Sequence, residues 1–254
     1  MNWSLRLRAA GIHLMSSLIV AAIAASVVFL VWYPWPYRII SGGEDLFLLL
    51  ISVDIVMGPL ITLAIFNIKK PRKELKRDLS IIVVLQLAAL GFGLHTVYMA
   101  RPVVLALEVD RFRVTTAVGV VEAELAKAQE GFRELSLTGP RLVNTATPTE
   151  EERYDAIMLG MAGADLGTRP TFWRTWDDSA RARVRKAGKP VSQWLSETKV
   201  PAATRAAVVD AVARTGKSAE QLLYLPMLAR RNDWSVLADS TSGDPVGFAP
   251  INAN

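Results

Sequence analysis

Three stretches of this chain are too long and too apolar to be ordinary core helices. Ala9 to Tyr33 holds no Asp, Glu, Lys or Arg, Leu46 to Phe66 holds only Asp54, and Leu79 to Ala100 is uncharged but includes Gln86 and His95. At about 1.5 Å of rise per residue, each reaches the roughly 30 Å thickness of a bilayer's hydrocarbon core. The fold class this predicts is membrane α-helical, with three transmembrane helices over 9–33, 46–66 and 79–100, followed by a separate domain over 101–254. A hydrophobic share of 51% and a mean hydropathy of +0.27 agree with it. With no cysteine in 254 residues, disulfide scaffolds, thiol catalysis, Fe–S clusters and Cys-based zinc sites are excluded.

Arg6 and Arg8 ahead of an apolar run, with Ala22-Ile23-Ala24 inside it, resemble a signal peptide. The run continues past that point through Val27 to Tyr33, so an uncleaved helix is expected. Orientation follows from the basic residues. Lys69, Lys70, Arg72, Lys73, Lys76 and Arg77 lie between spans two and three, and with Arg6 and Arg8 they place eight of the nine basic residues of 1–100 on one side. That side should be cytoplasmic. The opposite loop has Arg38 against Glu44 and Asp45, with Trp32, Tyr33, Trp35 and Tyr37 as an interfacial belt. The N-terminus is therefore expected inside, and 101–254 outside; in a Gram-negative inner membrane that is the periplasm. No nucleic-acid partner is expected, because topology accounts for the basic cluster and a short loop offers no basic face.

Within the spans, polar groups are the candidates for function. Asp54 sits roughly 12 Å inside span two by helical rise, where an ionised carboxylate is costly and normally faces protein or water. Gly58-Pro59 follows one turn later and is expected to interrupt the helix, because Pro59 deprives the Ile55 carbonyl of its donor. His95 could meet Asp54 in height, whereas Gln86 points half a turn away. Ser17, Ala21 and Ala25 repeat every four residues in span one, a small-residue spacing that lets helices approach. Two readings stand for this set: it receives a further transmembrane helix, or it packs the three-helix bundle.

The C-terminal domain reads as α+β with an antiparallel sheet. Strands are expected over 103–109, 112–114, 222–229, 234–239 and 246–251, and helices over 121–130, from an N-cap at Thr147, from Asp177 to Gly188 and from Pro201 to Arg214. The helices are expected to cover one face. Phe172, Trp173, Arg174 and Trp176 form an aromatic cluster, read either as a docking surface or as core. Both histidines, His13 and His95, precede this domain, so it holds no Ser-His-Asp triad. No phosphate loop is present. No catalytic residue, metal ligand or cofactor is expected.

The order of GIHL at 11–14, FLVWYPWP at 29–36, VDIVMGPLITL at 53–63, FNIKK at 66–70, DLSIIVVLQLAAL at 78–90, ARP at 100–102 and DRF at 110–112 resembles the type IV pilin accessory proteins of Gram-negative inner membranes. The likeness spans about the first 115 residues and weakens downstream, where GPRLV at 139–143 and LYLPMLAR at 223–230 remain similar. It implies a membrane protein without enzymatic activity that works with a cognate type IV pilin, and with other inner-membrane pilus assembly proteins, to promote assembly of pili used in adhesion and twitching. Pilins carry an apolar N-terminal helix and a globular head, so such a protein would hold the helix in the bilayer and the head outside. Two rival classes differ: an enzyme of the same pathway, either a prepilin peptidase, disfavoured because only Asp54 lies within a span, or a pilin glycosyltransferase; and a membrane-anchored sensor or ligand-binding module, for which no cytoplasmic output domain is encoded.

Overall fold

The structure, a computed structural model, describes residues 3–67, 69–197, 200–231 and 233–252. Two compact units emerge, one of residues 3–38 and 42–100 and one of 39–41 with 101–252.

The first unit is helical. Helix α1 runs over Trp3–Val27 and ends in a π-helical turn at Val28–Trp32; a short α2 covers Tyr37–Ile40; α3 covers Gly43–Ile65 and α4 covers Arg72–Met99. α1 with its terminal turn, α3 and α4 are all long and apolar enough to cross a membrane. α3 is the middle helix, packing against α1 on one side and α4 on the other. Ala21, Ala24 and Val28 bring α1 close to Phe47 and Ile51 of α3, and the edge-on Phe29–Phe47 pair, 5.2 Å between centroids, fills the space above them. Small side chains are what allow that approach.

Two expectations change here. Gly58-Pro59 does not interrupt the second span, since α3 continues through Pro59 to Ile65. A single missing N–H is tolerated in a helix packed between neighbours, as α3 is between α1 and α4. The basic stretch after Phe66 is not all loop: α4 starts at Arg72, so Arg72, Lys73, Lys76 and Arg77 ride on its first two turns. Lys70 pairs with Asp78 at 2.6 Å.

The second unit is α+β, but its sheet is mixed rather than antiparallel. Its strands are β1 (Pro102–Leu107), β2 (Phe112–Thr116), β3 (Arg141–Thr145), β4 (Trp173–Arg174), β5 (Lys189–Pro190), β6 (Leu222–Leu228), β7 (Ser235–Asp239) and β8 (Pro245–Ala249), and its helices are α5 (Glu150–Met161), α6 (Asp178–Ala187), α7 (Val191–Ser196) and α8 (Ala202–Arg214). The order is β4-β3-β1-β2-β6-β7-β8, with β5 pairing β6. β3 runs parallel to β1 and β6 parallel to β2; the other pairs are antiparallel. The reason lies in the connections. Residues 108–140 between β1 and β3, and 117–221 between β2 and β6, are each long enough for the return crossover that a parallel neighbour needs, while β6 to β8 are joined by short turns.

All six residues of β1 and all five of β7 are buried, so the sheet centre is covered on both faces, not one. Val191 and Trp194 of α7 and Val208, Ala211 and Val212 of α8 pack on Leu222, Leu237 and Ala249. Val120, Leu125, Phe132 and Trp173 pack with Val104, Ala106 and Val143. The expected helix over 121–130 is instead a 3-10 segment over Glu122–Lys127. Tertiary bonds override its propensity: Glu124 is held by Arg169 at 2.8 Å and by Thr171. Helix α5 is capped by Thr149, not Thr147. Thr-x-x-Glu occurs twice, two residues apart, and the second copy closes a capping box with Glu152.

Candidate functional site

Because α3 lies between its neighbours, α1 and α4 leave a groove with α3 as its floor. The cavity measures about 430 Å³ and is mostly apolar, with Ile12, Val20, Ile51, Val83, Leu87 and Leu90 in its walls. His13, Ser16 and Ser17 from α1, Asp54 and Thr62 from α3 and Gln86 from α4 are its polar groups. Several of these satisfy one another. The His13 ring and the Thr62 hydroxyl are hydrogen-bonded at 2.6 Å, and Ser16 donates to the Ile12 carbonyl at 3.0 Å.

Gln86 reaches across to α3, where its amide donates to the Asp54 backbone carbonyl at 3.3 Å. Gly58 makes room for it, since a Cβ there would fall 2.0 Å from the Gln86 amide nitrogen. The donor arrives beside the turn that Pro59 deprives of an N–H. The Asp54 side chain is treated differently: among the described residues, its carboxylate has neither a hydrogen bond nor an ion pair. It stands half-buried at the junction of this groove and a second one, of about 500 Å³, on the far side of the α3–α4 seam.

Of the residues singled out from sequence, the structure therefore gathers Ser17, Asp54, Gly58 and Gln86 in one region, with Pro59 in the same stretch of α3. Ala21 and Ala25 lie further along α1, where Ala21 is buried and Ala25 half-buried against α3. His95 is exposed on α4 and lines neither groove, so the Asp54–His95 contact does not form. His13 and Thr62 belong to the groove and escaped the sequence reading. Two groups 49 positions apart carry no common spacing, and only the α1–α3 register reveals them.

In the second unit, Phe172 and Trp173 lie in the core, where Trp173 donates its indole N–H to the Gly167 carbonyl at 3.0 Å. Arg174 donates to the carbonyls of Thr171 and Trp173, both at 2.8 Å. Trp176 stacks on Phe112 and donates to Asp244 at 2.8 Å. Burial removes Phe172 and Trp173 from any docking surface. A polar pocket of about 460 Å³ opens beside β3 and α6, lined by Asn144, Asp177, Ser179 and Arg183. Its groups are mutually engaged: Arg183 donates to Asn144 at 2.7 Å, and Asp177 accepts from Ser179 at 2.7 Å and from the Ala180 N–H at 2.9 Å. The Ser179 hydroxyl, above all, holds the Asp177 carboxyl below its usual range. Among the described residues no group of three His, Asp or Glu side chains could hold a metal.

Comparison with known proteins gives this geometry its context. Residues 1–42 match the family described as fimbrial assembly protein FimB. The fimbrial assembly protein of Dichelobacter nodosus serogroup I is 35% identical over 231 residues, 90% of this chain and 89% of that protein. Its serogroup E1 counterpart is 34% identical over the same shares. The chain belongs to this family of fimbrial, type IV pilus assembly proteins. A shorter relative, from D. nodosus serogroups C1 and C2, is 41% identical over 118 residues, 46% of this chain and 90% of its own length. No solved structure matches. For a fimbrial assembly protein, the feature to explain is a mostly apolar groove floored by an unengaged carboxylate.

Proposed function

We propose that this protein is a multi-pass inner-membrane accessory protein that binds a cognate type IV pilin, holding the pilin's apolar helix in the α1–α4 groove and its head with the C-terminal domain in the periplasm. The carrying observation is the groove itself. In a bilayer, an isolated carboxylate such as Asp54 is expensive unless protein or water faces it, and the three helices leave it open. A client helix laid over α3 would bury the apolar walls and bring a donor to Asp54. The charge pattern supports the orientation: Lys69, Lys70, Arg72, Lys73, Lys76 and Arg77 fall at one end of α3 and α4, which favours a cytoplasmic location there.

The action is chaperone-like and needs no cofactor: the protein presents pilin to other inner-membrane assembly components without covalent chemistry. Within the apolar stretches 9–33, 46–66 and 79–100 Asp54 is the single carboxylate, which argues against an aspartyl protease. A sensor role would look to the pocket beside Arg183, but the groups lining it already bond one another.

The test is co-purification of the cognate pilin in detergent. Full-length protein should retain it; a fragment of 101–254 and a groove-filling Val83→Trp variant should each retain at least tenfold less. Equal recovery by all three would remove the groove from the account.

A further inference from the structure

Helix α5 is built with unusual local care and then left without a core. At its start Thr149 accepts the Glu152 N–H at 3.4 Å, and the Glu152 carboxylate accepts the Thr149 N–H at 3.0 Å. At its end Gly163 takes a φ of +93°, and the N–H groups of Gly163 and Ala164 donate to the carbonyls of Gly160 and Leu159 at 2.9 and 2.8 Å. Those are a capping box and a Schellman motif on one 12-residue helix. Yet none of its residues is buried, and none belongs to the two hydrophobic clusters described above for the sheet. A helix of this length is marginal in water without tertiary packing.

Its exposed face is apolar. Tyr154, Ile157, Met158 and Met161 follow the i, i+3, i+4, i+7 spacing of a single stripe and are between 47 and 81% exposed. Such a stripe is the anchor pattern of a helix that enters a groove on a partner. Charge decides which partner. Glu150, Glu151, Glu152 and Asp155 against Arg153 give α5 a net charge of −3. An anionic lipid surface would repel it, and a second copy of the same helix would bring another −3 against it. What remains is a protein groove that is apolar at its centre and basic at its rim.

We infer that α5 is the head-recognition element of this protein, inserting Tyr154, Ile157, Met158 and Met161 into an apolar, Lys/Arg-rimmed groove on the globular head of the client pilin. This rests on the proposed pilin-binding function and adds to it the contacting element. Because the face is solvent-exposed, its side chains can be changed without disturbing the fold.

The experiment titrates fluorescently labelled full-length cognate pilin against the full-length protein in lipid nanodiscs. Ile157→Glu with Met161→Glu should raise the dissociation constant at least tenfold while leaving the melting temperature unchanged. Glu151→Lys with Asp155→Lys should weaken binding and flatten its salt dependence, since the lost attraction is the screened one. Should the wild type bind pilin and the Ile157→Glu, Met161→Glu variant bind it equally well, the α5 assignment falls while pilin binding stands. No binding by the wild type overturns both. If that variant instead loses a dimer seen by sedimentation, or loses adhesion to phosphatidylglycerol vesicles, the occupant is a second copy or lipid and the assignment is overturned.

Discussion

At the scale of single residues, Gly167 shows how backbone space is used in this fold. Its N–H donates to Glu108 at 3.0 Å, and its carbonyl accepts from Thr115 at 2.8 Å and from Trp173 at 3.0 Å. A Cβ at this position would meet the Glu108 carboxylate at 2.9 Å and Ala106 at 3.0 Å. Glu108 cannot swing aside freely, since Arg113 holds it at 2.7 Å. Gly167→Ala should therefore cost about 1–3 kcal/mol by overpacking, read as a lowered unfolding midpoint of the full-length protein. Asp239 gives a pH-dependent counterpart. Its bond to Lys217 at 2.6 Å, with N–H groups of Thr241 and Ser242 on the other oxygen, brings the carboxyl down to about 2. A free aspartate titrates near ~3.9, so the stabilisation is complete above that pH and is lost as pH falls toward 2. The stability gap between wild type and Asp239→Asn should be widest at neutral pH and should close on acidification through that window; a pH-independent gap would contradict it.

At the scale of elements, legibility in the sequence follows the range of the forces involved. The three long helices, α6 and α8 could be read because composition, caps and stop residues are local. Asp177 illustrates this: it opens α6 by accepting the Ala180 N–H at 2.9 Å, as its position ahead of the helix suggested. Asp177→Ala should lower stability by about 0.5–2 kcal/mol through loss of that cap, with the larger figure expected because the Asn144 and Ser179 bonds go with it. Measured changes under a few tenths of a kcal/mol would show the cap to be replaceable. The sheet order was not legible. The parallel neighbours of β1 and of β2 each depend on a long crossover, and the alternation of Val103, Leu105 and Leu107 looks the same whether the neighbour runs parallel or antiparallel. The groove was half legible: Asp54, Gly58 and Gln86 are anomalies inside apolar runs, whereas His13 and Thr62 acquire meaning only from helix register.

At the scale of the whole molecule, the proposed arrangement stands on the distribution of charge between the two ends of the long helices. The segment joining α3 to α4 and the first turns of α4 carry six basic residues, while at the other end Arg38 lies between α1 and α3, and Glu44 and Asp45 lie in the first turn of α3. The cationic end should stay in the cytoplasm, because basic residues next to short loops resist translocation. Three crossings then send everything beyond Ala100 outward. Alkaline phosphatase fused behind Asn254 should be active and green fluorescent protein at the same point dark. Changing Lys69, Lys70, Lys73 and Lys76 to Gln, and Arg72 and Arg77 to Glu, removes that bias without touching the walls of the α1–α4 groove. It should lower phosphatase activity by mixing orientations. Were the phosphatase inactive with the native sequence, the C-terminal domain could not meet a pilin head in the periplasm; the α1–α4 groove would then have to work without it, and the division of labour between the two units would need to be reversed.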